Sequence, residues 1–255
     1  MKNQILWHLL NGETPRNEDA GENVLQKICM GGFCAAAFSV LPKDGEATCQ
    51  AALEEIAEQT AEKCSEERFK CLTVCREGTI SALISYQTRR DADMHPPVTI
   101  AQKMCDELAQ ALSVPVKFGV GGFCAFYEMI PFSYKEALAD MESKACSKTI
   151  RSILRFVEDN FADPELSNGV IARASFLNYS YMCTQFHNEI GITLNQYIRM
   201  YRMRRALRHL EEPGQSIQAS ALKAGYDDCK YFSKCFKREF SMTPGRYQHR
   251  VSDNT

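Results

Sequence analysis

The chain has 255 residues, room for about two domains of ordinary size. Hydrophobic residues make up 45% and charged residues 24%, a globular composition that argues against long disorder, and no apolar run approaches the roughly 18–20 residues needed to cross a bilayer. The net charge of −2 hides an asymmetry: residues 148–255 hold 16 Lys/Arg and 11 Asp/Glu, a balance of +5, whereas residues 1–147 carry −7, so the C-terminal part is the half suited to a polyanion.

The N-terminus, Met1 to His8, lacks the apolar core of a signal peptide. The chain therefore reads as cytoplasmic, without membrane contact. Its 12 cysteines include no C-x-x-C pair, which removes the strongest cue for zinc or a redox motif. They read as reduced, mostly buried thiols acting as small hydrophobes.

Ile5, Leu6, Leu9 and Leu10 predict a short amphipathic helix, ended by Asn11-Gly12 and Pro15. A polar loop continues from Gly12 to Gly21, so residues 1–24 read as a linker helix and loop. Phe33 to Leu41 predicts a buried strand, and Pro42-Lys43-Asp44-Gly45 a turn. Gln50 to Cys64 places Ala51, Leu53, Ile56, Ala57 and Thr60 on one helical face. Phe69 to Cys75 and Thr79 to Tyr86 form the arms of a hairpin turning at Arg76-Glu77-Gly78. Val98 to Leu112 is a helix with Ile100, Met104, Leu108 and Leu112 in one stripe, and Val114 to Val120 a strand ended by Gly121-Gly122. Ser133 is expected to cap a helix over Tyr134 to Met141, with Glu136 completing a capping box. This order, β-α-β-β-α-β-α over residues 25–146, predicts an α+β domain, with helices on one face of a largely antiparallel sheet.

Neither Gly31-Gly32 nor Gly119-Val120-Gly121-Gly122 has the spacing of a phosphate-binding loop. Asp91, Asp93 and His95 fall in one loop, but Pro96-Pro97 follows and no second ligand set accompanies them. No metal or other cofactor is read from this half.

Val116-Lys117-Phe118-Gly119-Val120-Gly121 followed by Ser133-Tyr134-Lys135-Glu136-Ala137-Leu138 resembles the degenerate GGDEF-like domain in the middle of YesN-type response regulators. The resemblance implies an α/β sandwich. A working cyclase of that family needs a carboxylate-bearing signature at the central hairpin to hold a divalent metal. Here the hairpin reads Cys75-Arg76-Glu77-Gly78-Thr79, with one carboxylate, so catalysis is not expected and a packing or dimerisation role is. The receiver domain that normally precedes such a module does not fit ahead of residue 25; the chain reads as a fragment, a receiver-less relative or the soluble end of a membrane sensor.

From Lys148 the pattern is wholly helical. Ile150, Ile153, Leu154, Val157 and Phe161 share one face, and Asp163-Pro164 ends that helix. Ser167 is expected to cap Asn168 to Ala174, buried through Val170, Ile171 and Ala174. Asn178 caps Tyr179 to Glu189, buried through Met182, Phe186 and Ile190, with Gly191 in the left-handed position. Thr193 caps a longer helix, Leu194 to Leu210, with a stripe of Leu194, Ile198, Tyr201, Ala206 and Leu210 and a wet face of Arg199, Arg202, Arg204, Arg205 and Arg208. The short pair then repeats. Ser216 caps Ile217 to Ala224, Gly225 closes it, and Asp227 or Asp228 caps Cys229 to Phe240, with Tyr231, Phe232, Cys235 and Phe236 inward. Thr243-Pro244 starts a last helix. Residues 147–255 thus predict an all-α domain of two helix-turn-helix units.

The run from Ala224-Gly225-Tyr226 through Tyr231-Phe232-Ser233-Lys234-Cys235-Phe236-Lys237-Arg238 to Met242-Thr243-Pro244-Gly245-Arg246-Tyr247 resembles the AraC/XylS family of transcription regulators. Tyr197, Arg202, Ala206 and Leu210 fit the family's linker helix. Ser220, Ser241 and Gln248 depart from its usual apolar residue, glycine and arginine. The resemblance implies sequence-specific binding of double-stranded DNA. Base readers would be Ser180, Cys183, Thr184, Cys229, Lys230, Ser233 and Lys234. Phosphate contacts would be Tyr179, His187, Arg202, Arg205, Lys237 and Arg238. The long helix would hold the two reading helices about one DNA turn, roughly 34 Å, apart. A homodimer through the N-terminal domain and contact with RNA polymerase accompany this reading. The alternative is an effector- or nucleotide-binding sensor, or a redox sensor using Cys183 and Cys229, with DNA binding as its output.

Overall fold

A computed structural model describes residues 2–12, 32–41, 49–76 and 78–253. The expected loop after Gly12, the turn at Pro42 to Gly45, Gly31 and the hairpin residue Glu77 lie outside the described residues. The chain divides into two compact units, Met1–Met141 and Glu142–Thr255.

The first unit contains α1 (Lys2–Asn11), β1 (Phe33–Val40), α2 (Gln50–Cys64), β2 (Phe69–Arg76), β3 (Thr79–Tyr86), α3 (Arg89–Met94), α4 (Pro97–Leu112), β4 (Val116–Val120) and α5 (Ile130–Ser143). The strands form one antiparallel sheet in the order β2-β3-β1-β4. Register is set by pairs such as Ala36↔Ala82 and Ala36↔Val120.

The sheet is covered on both faces, which corrects the expectation of one-sided cover. Cys34, Ala36 and Phe38 join Ile80, Ala82 and Ile84 beneath Leu53 and Ala57 of α2 and Ile100, Met104 and Leu108 of α4. The opposite face meets α1 and α5. There the hydroxyls of Ser81 and Tyr134 lie 2.8 Å apart, and the Arg76 guanidinium sits 4.9 Å from the centre of the Trp7 ring. The cause is legible in the strands. Residues 33 to 38, Phe-Cys-Ala-Ala-Ala-Phe, show no alternation of apolar and polar, the pattern of a strand buried on both sides.

Gly119 and Gly121 let α5 seat directly on β4. A Cβ at Gly119 would lie 2.1 Å from the carbonyl of Ala137, and one at Gly121 would lie 1.9 Å from that of Ser133. These glycines therefore serve close helix–strand approach rather than a ligand. Side chains of α5 reach past them to the backbone. Asp140 accepts the Val120 N–H and Glu136 the Gly122 N–H, each at 2.9 Å.

The expected cap at Ser133 is corrected by the same contact. The helix starts at Ile130, after a short 3₁₀ turn at Tyr127–Met129, and Ser133 lies inside it. Its hydroxyl accepts from Ala35 N–H at 2.9 Å and donates to the Gly122 carbonyl at 2.8 Å. Glu136 is used by Gly122 rather than by a cap. The Asp91 loop is also a helix: Thr88 caps α3 in a capping box with Asp91. Hydrogen bonds from Thr88 chiefly hold the Asp91 carboxyl below its ordinary range, with Arg68 assisting. No group of His, Cys, Asp and Glu suited to a metal is present among the described residues.

The second unit is all helical: α6 (Lys148–Asn160), α7 (Asn168–Ala174), α8 (Tyr179–Ile190), α9 (Leu194–Glu211), α10 (Ile217–Lys223), α11 (Cys229–Phe240) and α12 (Pro244–Asp253). Ser147, Asn178, Ser216 and Asp228 each accept a backbone N–H at a helix start, and Thr193 and Gln196 form a capping box. Three expectations fail here. Ser167 occupies the N-cap position of α7 without a side-chain cap bond. The buried stripe of α7 is Asn168, Ile171 and Ala172, so Ala174 is exposed. In α11 the stripe is Phe232, Cys235, Phe236 and Phe240, which turns Tyr231 outward.

Candidate nucleic-acid interface

Helices α8 and α11 are copies of one frame, 50 residues apart. Asn178 and Asp228 cap them, Met182 and Phe232, Phe186 and Phe236, and Ile190 and Phe240 anchor them, and Gly191 and Ser241 follow in left-handed conformation. The helices before them end alike. Leu177 N–H bonds the Ala172 carbonyl and Tyr226 N–H bonds the Ala221 carbonyl, at 3.0 and 2.9 Å. That spacing is 49, so the second turn contains one residue more than the first.

Burying the same heptad positions leaves the same positions outside. On α8, Tyr179, Ser180, Thr184 and His187 are exposed and Cys183 is half-buried. The Asn168 amide donates to the Cys183 sulfur at 3.6 Å. On α11, Lys230, Lys234, Lys237 and Arg238 are exposed, while Cys229 and Ser233 are half-buried. Ser233 Oγ donates to the Cys229 carbonyl at 2.9 Å. Each expected base-reading set therefore lies along the outer side of one helix.

Arg208 is exposed as expected of the wet face of α9, but Arg199, Arg202 and Arg205 are drawn into contacts. Arg199 pairs with Glu239 at 2.8 Å. Arg202 donates from Nε to the Phe161 carbonyl at 2.9 Å and from Nη2 to the Asp163 carbonyl at 2.7 Å. Its guanidinium also lies 5.6 Å from the centre of the Tyr226 ring, and burial holds its pKa below the ordinary value. Arg205 donates to the Tyr201 hydroxyl at 2.6 Å and stacks near Phe161. These side chains tie α9 to the end of α6 and to the second turn. Gly225 shares that contact: a Cβ there would lie 2.2 Å from the Phe161 carbonyl.

Sequence reasoning passed over Phe176 and Tyr181, and placed Tyr231 inward, yet all three are exposed aromatics beside the outward positions of α8 and α11. Phe176 precedes α8 and is 96% exposed; Tyr181 and Tyr231 occupy equivalent third positions and are 57% and 56% exposed. Phe176 carries a signal in the sequence, since the repeat places it where the second unit has Gly225.

No disulfide joins the described cysteines, most of which are buried. Burial chiefly pushes the Cys71 and Cys75 thiols up to about 12, so neither is a thiolate near neutrality.

A GGDEF-like domain model matches residues 31–139 and a helix-turn-helix domain model matches residues 171–250. Histidine kinase P4 of Formosa agariphila is 33% identical over 108 residues, 41% of this chain and 8% of that protein. The transcriptional activator RhaR of Salmonella dublin is 29% identical over 120 residues, 47% of this chain and 38% of that protein. The chain thus spans well under two thirds of these relatives. Among solved structures, the C-terminal domain of the response regulator AraT from Geobacillus stearothermophilus is 24% identical at a TM-score of 0.40, over 41% of this chain and 86% of that one. The matched segments and the repeated frame agree: this chain joins a GGDEF-like domain, over residues 31–139, to a helix-turn-helix domain, over residues 171–250.

Proposed function

We propose that the chain is a sequence-specific, DNA-binding transcriptional regulator of a bacterial cytoplasm and not an enzyme. The observation that carries this reading is the duplicated frame: two capped helices with corresponding buried anchors and corresponding outward positions. A helix fits the major groove, and only its outer residues reach base edges. Ser180, Cys183 and Thr184 on α8, with Cys229, Lys230, Ser233 and Lys234 on α11, read bases. Tyr179, His187, Lys237 and Arg238 hold phosphates, joined by Arg202 and Arg205. Helix α9 spaces the two reading helices for adjacent groove segments on one side of the duplex. Residues 25–146 form the regulatory and self-associating domain and residues 147–255 the DNA-binding domain, which meets RNA polymerase at the promoter.

The test is selection of bound genomic fragments followed by titration of variants. Lys234→Ala loses about 1–3 kcal/mol at one base pair and relaxes preference there. Arg238→Ala weakens all sequences alike and reduces the salt dependence. A wild-type chain that retains no duplex, or a Lys234→Ala variant with unchanged base preference, contradicts the reading.

A further inference from the structure

The two reading helices share a frame but differ in chemistry. Tyr179–Ile190 contains one carboxylate, Glu189, and no lysine or arginine, whereas Cys229–Phe240 contains Lys230, Lys234, Lys237 and Arg238 against Glu239. A difference of this size concerns how each helix meets DNA, because cations on the outer face make binding salt-dependent and neutral side chains do not.

The first unit has aromatic surface in place of charge. Phe176, Tyr179 and Tyr181 are 96%, 52% and 57% exposed within six residues. Phe176 also has φ +55, a left-handed backbone that disfavours a bulky side chain. Its counterpart is unambiguous. Phe176 N–H bonds the Arg173 carbonyl and Gly225 N–H bonds the Leu222 carbonyl, one residue before the matching bonds of Leu177 and Tyr226. The second unit thus uses glycine, φ +83, where the first holds a strained and solvent-exposed phenyl ring. Neither strain nor exposure favours phenylalanine over glycine in the free protein. Glycine at 225 is required by the Phe161 carbonyl, 2.2 Å from a Cβ there, whereas nothing described around Phe176 calls for a phenyl ring.

We infer that Phe176, supported by Tyr179 and Tyr181, is an apolar contact surface for the DNA segment read by α8, packing on thymine methyl groups and deoxyribose at the groove wall. This rests on the DNA-binding reading above and adds that the two segments differ in kind. The first is recognised through methyl, ring and hydroxyl contacts, the second through cations. Duplex DNA is favoured over a protein partner by position. The ring lies in the turn that leads into α8, two residues before the cap Asn178 and continuous with the exposed Tyr179 and Ser180. Such a turn lies against the groove edge whenever the helix that follows it enters the groove. The thymine C5-methyl is the apolar feature that the major groove presents.

The experiment uses the whole chain and a duplex recovered with the wild type, titrated at several salt concentrations beside thermal unfolding. Phe176→Gly unfolds at or above the wild-type midpoint, binds roughly five- to tenfold more weakly, within the range of one base-pair contact, and keeps the wild-type salt slope. Lys230→Ala flattens the slope. Uracil in place of thymine in the segment that α8 protects weakens the wild type by a similar factor and adds little to Phe176→Gly. Equal affinity of Phe176→Gly and wild type overturns the inference and leaves DNA binding standing, as does a loss confined to the salt slope. A wild-type chain that binds no duplex overturns both.

Discussion

Glu189 accepts two hydrogen bonds from Ser147, one from its backbone N–H at 2.7 Å and one from its hydroxyl at 3.0 Å. The first residue of α6's cap is thereby fastened to the last turn of the first reading helix. Burial pushes the Glu189 pKa up, but the bonds from Ser147 and Gln185 outweigh it and hold the carboxyl below its ordinary value.

A carboxylate with a depressed pKa stabilises the fold above its unfolded pKa, and that stability disappears as the pH falls through the folded pKa. Glu189→Gln is therefore expected to destabilise modestly near pH 7, by under about 1 kcal/mol given solvent screening. Denaturant titrations across pH 3–7 check this. The gap between variant and wild type closes in acid, and a gap that is constant with pH contradicts the assignment.

Ser220 is fully buried in α10, and its hydroxyl oxygen has no hydrogen-bond partner among the described residues. An unsatisfied buried hydroxyl costs about 1–3 kcal/mol. Ser220→Ala removes it and leaves nearly the same volume. The expected result is a gain of about 1 kcal/mol in chemical unfolding, with DNA affinity unchanged. A loss of stability would show that the hydroxyl has a partner.

Ser241 closes α11 at φ +56, where α8 is closed by Gly191 at φ +79. Ser241→Gly relieves a left-handed conformation that costs a residue with a Cβ about 1 kcal/mol. The thermal midpoint is expected to rise by a few degrees. Ser113, also left-handed at φ +54, provides a comparison in the other unit.

Gly119→Ala is expected to cost about 3 kcal/mol or to prevent folding of the first unit, since the new methyl meets backbone atoms of Ala137 and Met141 that cannot swing aside. Gly78→Ala provides the contrast. Among the described residues, no heavy atom beyond its chain neighbours lies within 4 Å of its Cβ position, so the left-handed backbone at φ +75 is what opposes the change. Expression yield and unfolding midpoints compare the two.

The sequence made most elements legible because their signals are local. Asn178, Thr193, Ser216 and Asp228 cap where short polar side chains precede apolar periodicity, and Gly191 ends its helix as spacing requires. Failures arose where a residue was claimed by something distant in sequence. Ser133 has the pattern of a cap, but β1 and the Gly122 carbonyl claim its hydroxyl. Arg199 and Arg202 sit at polar helical positions, yet Glu239 and the carbonyls after α6 draw them in. Tyr231 lies at the edge of a wide stripe, where a period of 3.6 cannot decide between core and solvent. The outer faces of α8 and α11 followed directly from their inner anchors, because three or four buried positions fix a helix's rotation.

The carboxylates of α5 that accept the Val120 and Gly122 amides bear on how the sheet ends. A terminal strand with unpaired amides is a template on which foreign strands can grow, a hazard during synthesis at high cellular concentration. Here Asp140 and Glu136 occupy those donors and place negative charge alongside. An intruding strand would have to displace these two charge-assisted bonds to pair at this end of β4, which disfavours templated growth there.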